Sequence, residues 1–161
     1  VCVSGGEPTL RPDLPAVLAA IRAAGYEVKL DTNGSRPEVL RALLEQGLLD
    51  HVAMDIKGPP QKYRAIAGPE ADPAAVAESA ELLAAAWENG AIGLEFRTPV
   101  CRELLDSTDL QAVRDWIPAR VPWFLQTYRD TDERLDRSTA FSAYPEEEMR
   151  EMGRLLCASV R

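Results

Sequence analysis

The chain has 161 residues, enough to bury one sizeable core, and no composition shift or linker marks a second domain, so a single domain over 1–161 is expected. Its formal net charge is −8, from 26 acidic against 18 basic side chains, and such a field repels phosphate backbones, which argues against nucleic-acid binding. No apolar run approaches the roughly 20 residues that span a bilayer and no signal peptide is visible, so a cytoplasmic location without a membrane partner is expected; the three cysteines, Cys2, Cys101 and Cys157, form no CxxC pair, which argues against a disulfide framework and a zinc site.

Apolar spacing alternates between strand-like runs and helix-like faces, with no repeat and no low-complexity stretch. Residues 1–3 read as a strand that feeds Gly5-Gly6-Glu7-Pro8. Asp13 then caps a helix bearing Leu14, Val17, Leu18 and Ile21, and Gly25 stops it. A strand is expected over 26–30. Ser35 and Pro37 open a helix with Leu40, Leu43 and Leu44 on one face, ended by Gly47. Residues 51–56 form the next strand, 73–88 a helix stopped by Asn89-Gly90, and 92–97 a fourth strand. Asp109 caps a helix with Leu110, Val113, Trp116 and Ile117, and 122–127 gives a fifth strand. The charged run 130–136 reads as a solvated loop, and Pro145, followed by three glutamates, opens a terminal helix.

Five strands separated by helices imply a parallel α/β sheet with right-handed crossovers, in which ligand residues gather at the strands' carboxyl ends. A Rossmann-like sheet and a partial TIM-type barrel both fit this pattern. The polar motifs fall where the rule puts them: Glu7 after the first strand, Asp31 to Asn33 after the second, and Asp55 to Lys57 at the end of the third.

Two adjacent glycines, Gly5 and Gly6, let the backbone approach a ligand, while Pro8 fixes the exit and leaves Glu7 as an acceptor suited to an ammonium group. The same tetrapeptide also suits an ordinary turn with a solvated glutamate. Asp31 and Asp55, brought together at strand ends, need a cation, a proton or a lysine to neutralise them, and Lys57 can serve; turn formation and capping are the plainer uses of these aspartates. Arg97 near the end of the fourth strand can reach a carboxylate or a ribose, or pair with Glu95 or Glu103. His51, the only histidine, sits at a strand start, away from the motif end, and reads as surface or structural. Gln126 stands at a strand end where it can touch a ligand base, Trp87 and Trp116 read as core packing, and Cys2 and Cys157 as small buried hydrophobes.

Taken in order and spacing, Ser4-Gly5-Gly6-Glu7-Pro8-Thr9-Leu10, Asp31-Thr32-Asn33-Gly34 and Met54-Asp55-Ile56-Lys57 resemble the radical SAM superfamily. More narrowly they resemble the glycyl-radical-enzyme activases, above all those of anaerobic ribonucleotide reductase. The resemblance runs from residue 1 to about 105. It implies a partial (β/α)6 TIM-like barrel of parallel strands from which the first βα unit is missing. It also implies S-adenosylmethionine and a [4Fe–4S] cluster as cofactors. Gly5, Gly6 and Glu7 would then bind the amino group of S-adenosylmethionine, with Asp31, Asn33, Asp55, Lys57 and Arg97 as further cofactor contacts. Asp31, Thr32 and Asp55 would hold a monovalent cation near the methionine carboxylate. The implied partners are a glycyl-radical enzyme and a reductant such as flavodoxin or ferredoxin.

Two departures stand against that pattern. Where family members read Arg-Thr-Thr-Val-His, this chain reads Arg97-Thr98-Pro99-Val100-Cys101, so position 101 has no assigned role. The CxxxCxxC loop that ligates the cluster does not occur in these residues, and in the family it lies upstream of the Gly-Gly-Glu-Pro strand. Because the chain opens at Val1, inside a strand, a preceding segment is expected. The reading is the C-terminal portion of a radical SAM activase whose parent is the enzyme, with this portion inactive by itself. The alternatives are a radical SAM enzyme acting on a small molecule or a peptide, and a non-catalytic module that binds S-adenosylmethionine or a nucleotide.

Overall fold

A computed structural model describes residues 1–129 and 140–161. Within them lies one six-stranded sheet in the order β1 (Cys2–Val3), β2 (Lys29–Thr32), β3 (His51–Asp55), β4 (Gly93–Val100), β5 (Trp123–Thr127) and β6 (Ser159–Val160). Every neighbouring pair is parallel. Between the strands run α1 (Leu14–Ala23), α2 (Pro37–Glu45), α3 (Tyr63–Ala67), α4 (Pro73–Glu88), α5 (Ser107–Trp116) and α6 (Glu146–Leu155). The strands follow one another in sequence order, with no reversal point like that of a doubly wound sheet. That order decides between the two architectures: the chain is a partial TIM-like barrel.

Alternation along the strands divides the sheet into an apolar and a polar face. Leu30, Val52, Met54, Leu94, Phe96 and Leu125 are buried and belong to one core with Leu18, Leu40, Leu43, Leu83 and Val113 of the helices. Trp123 joins that core and donates its indole N–H to Thr98 Oγ1 at 2.9 Å, which satisfies a polar atom that burial would otherwise leave unpaired. The other face carries Lys29, Asp31, Asp55, Glu95 and Arg97. Glu95 is held there by Lys29 at 3.1 Å and by Arg161 at 3.0 Å. Burial pushes its carboxyl up, and the two cations pull it below the usual range.

Several boundaries differ from the sequence expectation. β6 is a sixth strand, too short at two residues to show a period. Tyr26 is not in a strand: its N–H bonds Ile21 O at the end of α1, beside Gly25 at φ 82°, so β2 starts at Lys29 and includes Asp31 and Thr32. Asp13 occupies the N-cap of α1 without capping it, because both its oxygens accept from Arg11. The cap of α5 is Asp106, and Asp109 is its partner in a capping box. Cys2 and Cys157 are exposed, and only Cys101 is buried. Trp87 and Trp116 pack against the core as expected. The charged run 130–136 lies outside the described residues. No helix among those described is long and apolar enough to cross a membrane.

Candidate functional site

Glu7 organises the carboxyl end of the first two strands. After β1 the backbone turns through Gly5 at φ 103° and Gly6 at φ 55°, values that side chains rarely adopt. A Cβ at either would meet nothing within 4 Å, so these glycines serve backbone shape; Gly6 lines the crevice described below and Gly5 does not. Glu7 then caps a 3-10 turn over Pro8–Leu10. Its Oε1 accepts from Thr9 N at 3.1 Å, Thr9 Oγ1 at 2.6 Å and Thr32 Oγ1 at 2.8 Å, and its Oε2 accepts from Asn33 N at 2.6 Å. The sequence suits Glu7 to accept from an ammonium group. The structure clamps it between two strand ends, with acceptor capacity left on Oε2. Thr9 was missed, its one signal being a hydroxyl two residues after Glu7.

The loop after β2 is fixed from below. Gly34 lies at φ 71°, its N–H donates to Thr32 Oγ1 at 3.1 Å, and its carbonyl accepts from buried Ser79 at 2.7 Å. A Cβ at Gly34 would fall 2.1 Å from Met54 Cε. Asn33 Oδ1 accepts from Ser35 N, so its side chain shapes the loop while its backbone N–H serves Glu7.

Beside Glu7 stands a charge network drawn from three strands. Arg97 Nε donates to Asp55 Oδ1 at 3.0 Å and Nη1 to Asp31 Oδ2 at 3.2 Å, while Lys57 Nζ meets Asp55 Oδ2 at 2.7 Å. Arg97 therefore pairs with neither Glu95 nor Glu103, the two partners considered from sequence; Glu103 accepts from Cys101 Sγ and Ser142, which hold its carboxyl at about 2. Asp31 Oδ1 is buried without a hydrogen-bond partner of good geometry. Ser4, Glu7, Asp31, Asp55, Lys57 and Arg97 line one crevice of about 170 Å3. A neighbouring cavity of about 420 Å3 shares Asn33 and Lys57 with it and continues over Tyr63, Ile66 and Val76. Burial pushes the Tyr63 hydroxyl up to about 12, so it stays protonated and serves as a hydrogen-bonding group.

The expected monovalent cation gains no support here. Arg97 and Lys57 already balance the two aspartates, Thr32 is committed to Glu7 and Gly34, and no group of three His, Cys, Asp or Glu able to hold a metal occurs among the described residues. Cys101 is buried and bonded to Glu103, and the other two thiols are exposed, so the cysteines do not form a ligand set. His51 starts β3, half-buried, with Nε2 unpartnered; burial and the nearby Lys29 lower its pKa. A Cβ at Gly93 would lie 2.3 Å from its Nδ1, so Gly93 makes the room that the imidazole occupies. Gln126 is half-buried on β5 and does not line the crevice.

Residues 1–100 match the family described as the Radical SAM superfamily. A protein of Methanocaldococcus jannaschii with the provisional name glycyl-radical enzyme activating enzyme is 28% identical over 158 residues; the match covers 96% of this chain and 65% of that protein, so the chain spans just under two thirds of this relative. A domain of pyruvate-formate lyase-activating enzyme from Bacteroides vulgatus superposes with a TM-score of 0.76 at 17% identity, covering 100% of this chain and 98% of that one. Streptococcus suis SuiB bound to S-adenosylmethionine gives 0.71 at 11% identity, covering 100% of this chain and 38% of that one. At these identities the structural likenesses establish the fold.

Proposed function

We propose, from the premise that this chain belongs to the radical SAM superfamily, that its crevice holds the aminoacyl end of S-adenosylmethionine and that the whole protein is a glycyl-radical-enzyme activase. The observation that carries the reading is convergence: Glu7, Asp31, Asp55 and Arg97 come from four consecutive strands and open on one crevice with Lys57. Its volume is below the roughly 300 Å3 of ordinary small-molecule sites, which suits the polar end of a ligand whose remainder lies outside.

The residues present fit that end. Glu7 Oε2 and the backbone of Gly6 accept from an ammonium, while Lys57 and Arg97 offer donors to a carboxylate. Asp31 Oδ1 is buried without a hydrogen-bond partner of good geometry, with the Cys2 thiol beside the carboxylate, and is a further acceptor at the crevice. Thr32 and Asn33 act through Glu7 by fixing its two oxygens. When bound beside a reduced four-iron cluster, S-adenosylmethionine would accept one electron and split into methionine and a 5′-deoxyadenosyl radical, which would take a hydrogen atom from a glycine of a partner enzyme. The cysteines of these 161 residues do not fit the cluster, so its ligation is not assigned to them. The partner, anaerobic ribonucleotide reductase in the narrowest form of the reading, belongs to the same proposal, as do the single-domain organisation and the reductant.

Isothermal titration with S-adenosylmethionine tests the crevice directly. Saturable binding that weakens in Glu7→Ala and Asp55→Ala supports the reading, and binding indifferent to both overturns it. The activase role is tested separately, by electron paramagnetic resonance of a glycyl-radical enzyme after incubation with the whole protein, S-adenosylmethionine and a reductant: a glycyl-radical signal supports the role, and none with any such enzyme of the same organism overturns it.

A further inference from the structure

The far edge of the sheet concentrates positive charge that the crevice does not use. The ends of β5 and β6 and the flank of α6 wall a groove of about 730 Å3 lined by Arg129, Arg150, Arg154 and Arg161 against one carboxylate, Glu146, with Ala158 and Val160 on its apolar side. It shares no residue with the crevice. Four arginines in one groove run against the sign of a molecule whose net charge is −8.

Their pairing differs. Arg150 is bonded to Glu146, and Arg161 is bonded to Glu95 while its guanidinium lies 3.5 Å from the centroid of the Phe124 ring. Arg129 and Arg154 are exposed, and no carboxylate among the described residues pairs with either. Arg150 and Arg154, four apart on α6, present their charge along one helix face. The groove is also continuous with the barrel mouth. Thr127, Arg129 and Arg161 line in addition a cavity of about 400 Å3 that reaches Pro99 and Gln126 at the strand ends.

A second observation concerns the backbone. Among the described residues β6 has one neighbour, β5. Arg161 N donates to Leu125 O and its carbonyl accepts from Thr127 N, both at 2.9 Å. In a parallel ladder successive residues address opposite edges, so the N–H and C=O of Val160 point away from β5. An open strand edge with an apolar side chain and flanking arginines is a template for strand addition by a segment that alternates acidic and apolar residues.

We propose that this groove docks an extended acidic segment of another polypeptide, with main-chain pairing to Val160 and carboxylates on Arg129 and Arg154. Guanidinium and carboxylate match as planar forks, which gives orientation as well as attraction. A small phosphate would use the arginines but neither the open backbone edge nor the apolar side formed by Ala158 and Val160. The inference goes beyond the crevice reading and stands without it.

The test is fluorescence anisotropy of the whole protein with a labelled peptide of alternating glutamate and valine, about ten residues long to match the upper end of strand length. Saturable binding is expected. It should weaken about tenfold or more in Arg129→Glu/Arg154→Glu, as loss of two charge-assisted contacts implies, and less in the Gln/Gln pair. It should also weaken with added salt, and disappear for a peptide N-methylated along the edge that faces β6. Both arginines are exposed, so unchanged melting of the variants separates lost docking from lost folding, and unchanged S-adenosylmethionine binding separates this surface from the crevice. The proposal is overturned by equal affinity in the reversed variant, by equal affinity of the N-methylated peptide, or by pyrophosphate displacing the peptide at equivalent charge, which would make the groove a small-anion site.

Discussion

Arg97 reaches across a whole strand to Asp31. The two residues lie on β4 and β2, and the guanidinium passes over β3, where the residue next to Asp55 on that face is Ala53, a methyl group that leaves space above the sheet. One side chain thus ties three strands at the end where the crevice opens, and it does so with two carboxylates that would otherwise repel each other.

Replacing Arg97 with methionine keeps most of the side-chain volume, leaves Asp31 without a cation and leaves Asp55 with Lys57 alone. Asp31 and Asp55 are each less than a quarter exposed, so losing their common partner is expected to cost about 3 kcal/mol. Urea unfolding measures it. Adding Asp31→Asn to the methionine variant should recover part of the loss, and a double variant no more stable than Arg97→Met would show that repulsion between the aspartates is not the cause.

Glu7→Ala removes the acceptor of four hydrogen bonds and the candidate partner of an ammonium. A charge-assisted bond of that kind is worth on the order of 1.5–3 kcal/mol, or roughly ten- to hundred-fold in S-adenosylmethionine affinity. Thr32→Val, which removes one donor to Glu7, should weaken binding less. Titration calorimetry ranks the two, and a valine variant as weak as the alanine variant would mean that the loop rather than the carboxylate makes the site.

His51→Ala should leave ligand binding unchanged, because the imidazole stands at the opposite end of β3 from Asp55. Its effect belongs to stability against pH. Burial lowers its pKa in the folded chain, so between the folded value and the unfolded value of about 6.5 the unfolded chain binds more protons. Stability from this group is therefore complete above about 6.5 and is lost as pH falls through the folded pKa. Denaturant midpoints measured from neutral pH downward should fall in the native protein and less steeply in His51→Leu.

The cysteines should sort by burial. Cys2 and Cys157 are exposed, whereas Cys101 is buried and its thiol is pushed up by burial and by Glu103. A thiol reagent should label two groups in the folded protein and the third only in denaturant. Reconstitution of these 161 residues with iron and sulfide should yield no four-iron cluster, since the thiols do not meet.

What the sequence made legible was local. The helix α4 could be read to both ends because Asp72 caps it through Ala74 N, Pro73 opens it, and Asn89-Gly90 closes it, all within its own span. The strand-end position of Glu7, Asp31, Asp55 and Lys57 followed from the alternation of strands and helices. Their partners did not. Glu7 is held by Thr32 and Asn33, 25 and 26 residues away, and Arg97 finds Asp55 and Asp31 at separations of 42 and 66, which no local pattern encodes. The strand β6 was missed for a different reason: two residues carry no periodicity, and their strand character comes from pairing with β5.

Because each strand pairs with its predecessor, the sheet can grow in the order in which a ribosome delivers it. Asp31 and Asp55 arrive before Arg97 and must share the growing edge without their counter-charge until β4 docks. Lys57, only two residues behind Asp55, emerges almost with it and can hold that carboxylate in the interval. In the finished fold Lys57 secures Asp55 from within its own segment, whereas Arg97 must come from the next strand, so the carboxylates of β2 and β3 acquire their common partner only once β4 is in place.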